Sequence, residues 1–193
     1  MAHEQKSDVP PGTTPPGRGV AGLAAVALGW RGLVVEGVSL FGERVTIVAG
    51  VNQGAHEQRV TSGWGPVVDR MSVAMLWEWP EYRAVVSPVT VEGVLARGRR
   101  WQRALAKAGG FVGFCSTAIL LDQEYEPNQH CLVTAHWYGV SVLRLAQGVP
   151  VLVQPGRDGP VETARPSALS RWVEELVYAR LLQDSRITLS EAG

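Results

Sequence analysis

RGLVVEGVSLFGERVTIVAGV, residues 31–51, holds two β-branched runs, Arg31–Leu40 and Arg44–Val51, divided by Phe41-Gly42-Glu43. The second run alternates: Val45, Ile47, Ala49 and Val51 fall on one side and Arg44 and Thr46 on the other. A period of two belongs to a strand with one buried face, so the stretch predicts a hairpin closed by a three-residue turn.

Downstream, Asn52–Pro66 is polar and carries Gly54, Gly63, Gly65 and Pro66, the composition of a loop. Ser72–Trp79 places Val73, Met75, Trp77 and Trp79 at period two and predicts a strand ended by Pro80. Arg83–Ser87 is expected as a short strand stopped by Pro88. A helix is expected from the Thr90 hydroxyl, a suitable N-cap, to about Ala108, before Gly109-Gly110. Within it Val91, Val94, Leu95, Trp101 and Leu105 share an arc of about 120°. Phe111–Leu121 is continuously apolar and is expected as a strand buried on both faces. After the polar loop 122–128, three strands are expected at Gln129–His136, Tyr138–Ala146 and Val149–Gln154, the last two joined at Gln147-Gly148. A second amphipathic helix runs from Pro166-Ser167 to about Gln183. Leu169, Trp172, Val173, Leu176 and Val177 form its apolar stripe, and Arg171, Glu174 and Glu175 are expected on the solvated side.

Upstream, residues 1–19 are rich in Pro and Gly and have little to bury, which predicts a disordered arm. The expectation is therefore an α/β domain over 20–185, with a mixed β-sheet, two main amphipathic helices and a flexible tail over 186–193.

At 193 residues, with 46% hydrophobic and 19% charged side chains, the chain has enough apolar mass for a core. Eighteen basic and eighteen acidic residues cancel, so no global field draws it to nucleic acid or membrane. The longest apolar stretch near the start, Val20–Leu28, falls far short of the roughly 20 residues a bilayer span needs. Ala25-Val26-Ala27 resembles a signal-peptidase site, but prolines and Asp8 stand where a basic and then apolar leader belongs. A cytoplasmic location is expected, and two cysteines do not make a disulfide framework.

Chemistry-bearing groups are sparse. Gly17-Arg18-Gly19-Val20-Ala21-Gly22 matches G-x-G-x-x-G, but Thr13-Thr14-Pro15-Pro16 before it is no strand, so no dinucleotide cofactor is expected. Cys115 and Cys131 with His130 and His136 are the one set suited to thiol catalysis, a hydrolase or transferase being the alternative reading. Their spacing fits no zinc motif, and the apolar surroundings of Cys115 point to a core thiol. Asp122, Glu124 and Glu126 alternate, and a solvated loop is expected there rather than a cation site.

Arg99, Arg100, Arg103 and Lys107 form the one notable local charge imbalance. They suit an acidic protein partner or, as a second alternative, nucleic acid, although no interleaved aromatics are there to stack bases. Trp77, Trp79, Trp101, Trp137 and Trp172 are expected in the core, whereas Trp64, in Ser62-Gly63-Trp64-Gly65-Pro66, is expected to be a contact residue.

The expected element order from Arg83 to Val177, the Gln147-Gly148 hairpin, and Gly156 and Gly159 before a helix resemble the second half of actin-like proteins. The nearest are the assembly-platform components of bacterial type IV pili and type II secretion systems. Ala135-His136-Trp137-Tyr138-Gly139 stands where that family has an Asp-x-Gly phosphate turn. Without the acid, the resemblance implies a degenerate scaffold rather than an ATP-binding one. The expected function is a non-catalytic protein-interaction or assembly module without cofactor or metal. Its expected partner is another protein or a second copy of the chain, through Arg99, Arg100, Arg103, Lys107 and Trp64.

Overall fold

The computed structural model describes residues 19–122 and 125–187. The fold is α/β: one six-stranded mixed sheet in the order β1-β2-β3-β4-β5-β6, with helices on both faces. Of the arm expected over 1–19, residues 1–18 lie outside the described residues, and Gly19 caps the first helix. Most of the expected tail, 188–193, also lies outside them, and Ile187 packs on the core rather than leaving it.

The hairpin is present as β1 (Leu33–Leu40) and β2 (Glu43–Val51), antiparallel, with Leu40 opposite Glu43. Its turn has two residues, not three. Phe41 and Gly42 have φ of 52° and 78°, the conformation whose twist suits a tight hairpin. β3 (Val89–Gly98) pairs antiparallel with β2 and parallel with β4 (Ser116–Leu121). β4 is parallel to β5 (Ser141–Ala146), and β6 (Val149–Gln154) closes the sheet as an antiparallel edge. Parallel neighbours need crossovers. α5 (Trp101–Gly109) and α6 (Gln129–Tyr138) supply them.

The helix expected over Thr90–Ala108 is thus two elements. Val94, Leu95 and Ala96 are all buried because β3 is covered on both faces, and such a run mimics helical spacing. Gln129–His136, expected as a strand, lies in α6. Asn128 caps it by accepting from Cys131 N at 2.9 Å, and Gly139 stops it with φ of 68°. Ser72–Trp79, expected as a strand, lies largely in α3 (Arg70–Trp77), capped by Asp69 accepting from Ser72 N at 2.7 Å. Pro80 opens α4 (Pro80–Ala84), which replaces the strand expected at Arg83–Ser87; proline suits a first helical turn as well as it ends a strand. The expected loop after Asn52 contains α2 (Gln53–Thr61), capped by Asn52. Phe111–Leu121 is a strand only from Ser116, and the apolar stretch at Val20 is α1 (Val20–Ala27). The last expected helix is α7 (Ala168–Gln183), with a Ser167–Ser170 capping box.

Alternation divides the core. Val34, Val48, Leu95, Leu120 and Leu143 face α1, whose Ala21, Ala24 and Ala25 allow close approach. On the other face, α7 covers Val35, Ile47 and Val94, and α5 and α6 cover Ala96, Ile119, Leu121 and Val142. Among the described helices none is long and apolar enough to cross a membrane.

Of the five tryptophans expected in the core, Trp101 is buried, and Trp77 and Trp172 are half-buried. Trp79 and Trp137 are 66% and 84% exposed, because α3 and α6 turn those positions away from the sheet. Trp30 fills the core beside Gly93 instead. A Cβ on Gly93 would lie 2.6 Å from three Trp30 ring atoms. Gly93→Ala is therefore expected to lower stability by about 1–3 kcal/mol through overpacking, read as a lower denaturant midpoint with unchanged far-UV circular dichroism. An unchanged midpoint contradicts this packing.

Candidate interaction sites

The basic residues converge. Arg97, Gly98, Arg99, Arg100, Arg103, Ala104 and Lys107 line a cavity of about 360 Å³ where β3 ends and α5 begins. Outside the carboxyl ends of parallel strands is where open α/β sheets usually receive ligands. No side chain caps the start of α5, so its amide dipoles add to the positive field. Two acids partly offset the five cations. Asp122, just past β4, accepts from Arg97 Nε at 3.0 Å and lies 4.0 Å from Arg99 Nε, and Glu43 meets Lys107 Nζ at 3.0 Å. Among the described residues Arg100 and Arg103 have no carboxylate partner, and the Arg99 side chain is 91% exposed. All four basic residues expected to bind a partner line this cavity, and Arg97, from the end of β3, joins them.

Trp64 lies elsewhere. It is 56% exposed and borders a second cavity, of about 340 Å³, with Ala55, Gln58, Arg59, Ser62, Val85 and Val86. Below it lies a buried ionic cluster. Glu175 Oε1 accepts from Arg59 Nη2 and, at 3.2 Å, from Arg171 Nε, while Glu175 Oε2 accepts from Val67 N at 3.0 Å. Arg59 Nη1 donates to Gly65 O at 2.9 Å, and Arg171 Nη1 to Val85 O at 3.0 Å. The Arg171 guanidinium also sits 5.3 Å from the centroid of the Tyr82 ring. His56 Nδ1 and Tyr178 OH, 3.0 Å apart, extend the polar set along α7.

This corrects the solvated face expected for Arg171, Glu174 and Glu175. Arg171 and Glu175 are 5% and 1% exposed because α2 and the chain from Gly65 to Val85 pack over that side of α7. Glu174 is half-buried; burial pushes its carboxyl up, against the lowering influence of Ser87 and Arg171. In sequence the pair Arg171 and Glu175 shows only its spacing of four, which a solvated helix face shows equally.

The thiol set is not brought together. Cys115 is 2% exposed under α7 and Cys131 is fully buried on the core side of α6, in separate core clusters. His130 packs edge-on to Trp101, 5.2 Å between centroids, and His136 is exposed on the last turn of α6. Burial, helped by the Glu92 charge, pushes the Cys115 thiol up to about 12, and burial also raises Cys131. Raised thiols are poor nucleophiles at neutral pH. Of the three loop acids, Glu124 lies outside the described residues, Asp122 pairs with Arg97, and Glu126 meets Arg144 at 3.0 Å. Among the described residues no three His, Cys, Asp or Glu side chains are placed to hold a metal ion. Ala135–Gly139 is the end of α6, in direct contact with the Gly156 loop: Gly156 N donates to Ser141 Oγ at 2.8 Å and Arg157 N to Gly139 O at 2.9 Å.

The Cys115 shift has a consequence. The unfolded thiol ionises near 9.0, while the folded one keeps its proton to about 12. Its contribution to stability is complete below pH 9 and is lost as pH rises through that window. Between about pH 8 and about pH 11 the wild type is expected to lose about 2–3 kcal/mol more stability than Cys115→Val in parallel denaturant titrations. Equal losses contradict a protected thiol.

Comparison with family models, with curated proteins and with solved structures finds no match for this chain.

Proposed function

We propose that this chain is a non-catalytic interaction module of a multiprotein complex, and that it takes an acidic segment of a partner protein into the basic pocket between β3 and α5. The observation that carries the reading is the convergence of Arg97, Arg99, Arg100, Arg103 and Lys107 on one cavity of a chain whose net charge is zero. Five cations against Asp122 and Glu43 leave a local excess of three charges, which carboxylates on a peptide can neutralise. Guanidinium groups favour this use because their planar fork meets a carboxylate in two parallel hydrogen bonds.

An acidic peptide fits better than nucleic acid. No aromatic side chain lines the pocket, since Trp101, the one aromatic in α5, is buried under it. Single-stranded nucleic acid would need such a stacking platform. The buried, separated thiols lend no support to the hydrolase or transferase alternative. A cytoplasmic setting belongs to this reading and agrees with two unpaired cysteines.

The test is fluorescence anisotropy with a labelled Glu/Ser decapeptide and, in competition, an oligonucleotide of equal charge. The peptide is expected to bind more weakly as salt is raised, because the contact is exposed and screened. The triple variant Arg99→Ala, Arg100→Ala, Arg103→Ala is expected to lose about tenfold or more in affinity, three exposed charge pairs being worth about 0.5 kcal/mol each. Retained affinity in the triple variant overturns the proposal. Stronger binding of the oligonucleotide moves the pocket to nucleic acid and overturns it equally.

A further inference from the structure

We propose that the Trp64 cavity is a second, separate binding site, for a small organic acid: a carboxylate carried on an apolar body. Its volume of about 340 Å³ lies within the range of small-molecule pockets. Its make-up is amphipathic. Ala55, Val85 and Val86 give apolar walls, the Trp64 indole stands exposed at the rim, and Arg59, Gln58 and Ser62 supply the polar groups.

A cationic donor at the cavity wall specifies an acid. Two buried guanidinium groups, Arg59 and Arg171, share one fully engaged carboxylate. Glu174, on the same helix, also acts on Arg171, so the charge offered to the cavity is that of Arg59, the one member of this cluster that lines it. The cluster also leaves hydrogen-bonding groups idle. Arg59 Nε, Arg171 Nη2 and Tyr82 OH are buried without a partner, three of the four such atoms among the described residues. Buried donors are nearly always satisfied, and of these three residues Arg59 lines the cavity, so its idle Nε marks a place where a polar group from outside is accommodated. Arg59 is 4% exposed, so little water screens its charge from an occupant of the cavity it lines.

An anionic head therefore gains at the Arg59 end, and an aromatic or aliphatic body gains against Trp64 and Val86, which is itself 60% exposed. A neutral analogue of the same shape keeps only the second gain. That difference separates this site from an apolar crevice with no charge selectivity.

The experiment follows indole N–H resonances of the ¹⁵N-labelled full chain during titration with phenylacetate, phenylacetamide and acetate, with Trp64→Phe identifying the Trp64 signal. Phenylacetate is expected to move that signal saturably at millimolar concentration, and phenylacetamide and acetate to bind at least about tenfold more weakly. Ser62→Phe, at an exposed position on the cavity wall, is expected to abolish the shift while the denaturant midpoint is kept. An unmoved Trp64 signal, an equal response to phenylacetamide, or an undiminished shift in a folded Ser62→Phe variant overturns the proposal. Arg59 is left intact because its removal would strand the Glu175 charge.

Discussion

The Glu175 carboxylate ties together parts of the chain that the sheet alone would leave loosely attached. Residues 52–88, inserted between the neighbouring strands β2 and β3, have no strand of their own. They are held to α7 by polar contacts: Arg59 and Val67 N to Glu175, Arg171 to Val85 O, and Trp172 Nε1 to Val68 O at 2.8 Å. Only Val73 and Tyr82 of α3 and α4 are buried, and Met71, Met75 and Trp79 remain exposed. With so little apolar burial, the charge cluster is what fixes where this segment sits. Burying three charges is costly, and it succeeds here because both carboxylate oxygens and most guanidinium nitrogens are engaged.

The same central strand separates two sites of different character. β3 begins beside the α2–α4 segment and ends at the basic pocket, ten residues on, a span of about 30 Å. One end offers exposed cations, suited to a salt-sensitive contact with a macromolecule. The other offers a buried charge beside apolar walls, where an ion is felt strongly and solvent screens it little. A net charge of zero conceals both. The thiols, by contrast, lie deep and apart, as core residues do.

Legibility in the sequence followed how local the determining physics was. The β1–β2 and β5–β6 hairpins and α7 were readable because alternation, turn residues and a capping serine act within a few positions. The boundary between β3 and α5 was not, since Val94, Leu95 and Ala96 are apolar on both faces and carry no period. α3 and α6 were read as strands although Asp69, Asn128 and Gly139 are capping signals present in the sequence. For α3, alternating Val, Met and Trp outweighed the Asp69 signal. The grouping of the basic residues was legible because charge clusters survive a wrong secondary-structure assignment. Arg99 to Lys107 are neighbours whether Gly98 ends a strand or sits inside a helix. Arg59 and Glu175, far apart in sequence, could be joined only by tertiary structure, so that cluster stayed hidden even though Trp64 beside it stood out.

The most direct test of this account is amide hydrogen exchange on Glu175→Gln. Loss of the counter-charge leaves two guanidinium groups buried against a neutral amide, a cost of about 3–5 kcal/mol. The account predicts that amides of α2 and of residues 65–85 then exchange more than about 100-fold faster, while those of β3 and β4 keep their protection. Unchanged exchange over 53–85, or an equal acceleration throughout the sheet, would contradict it.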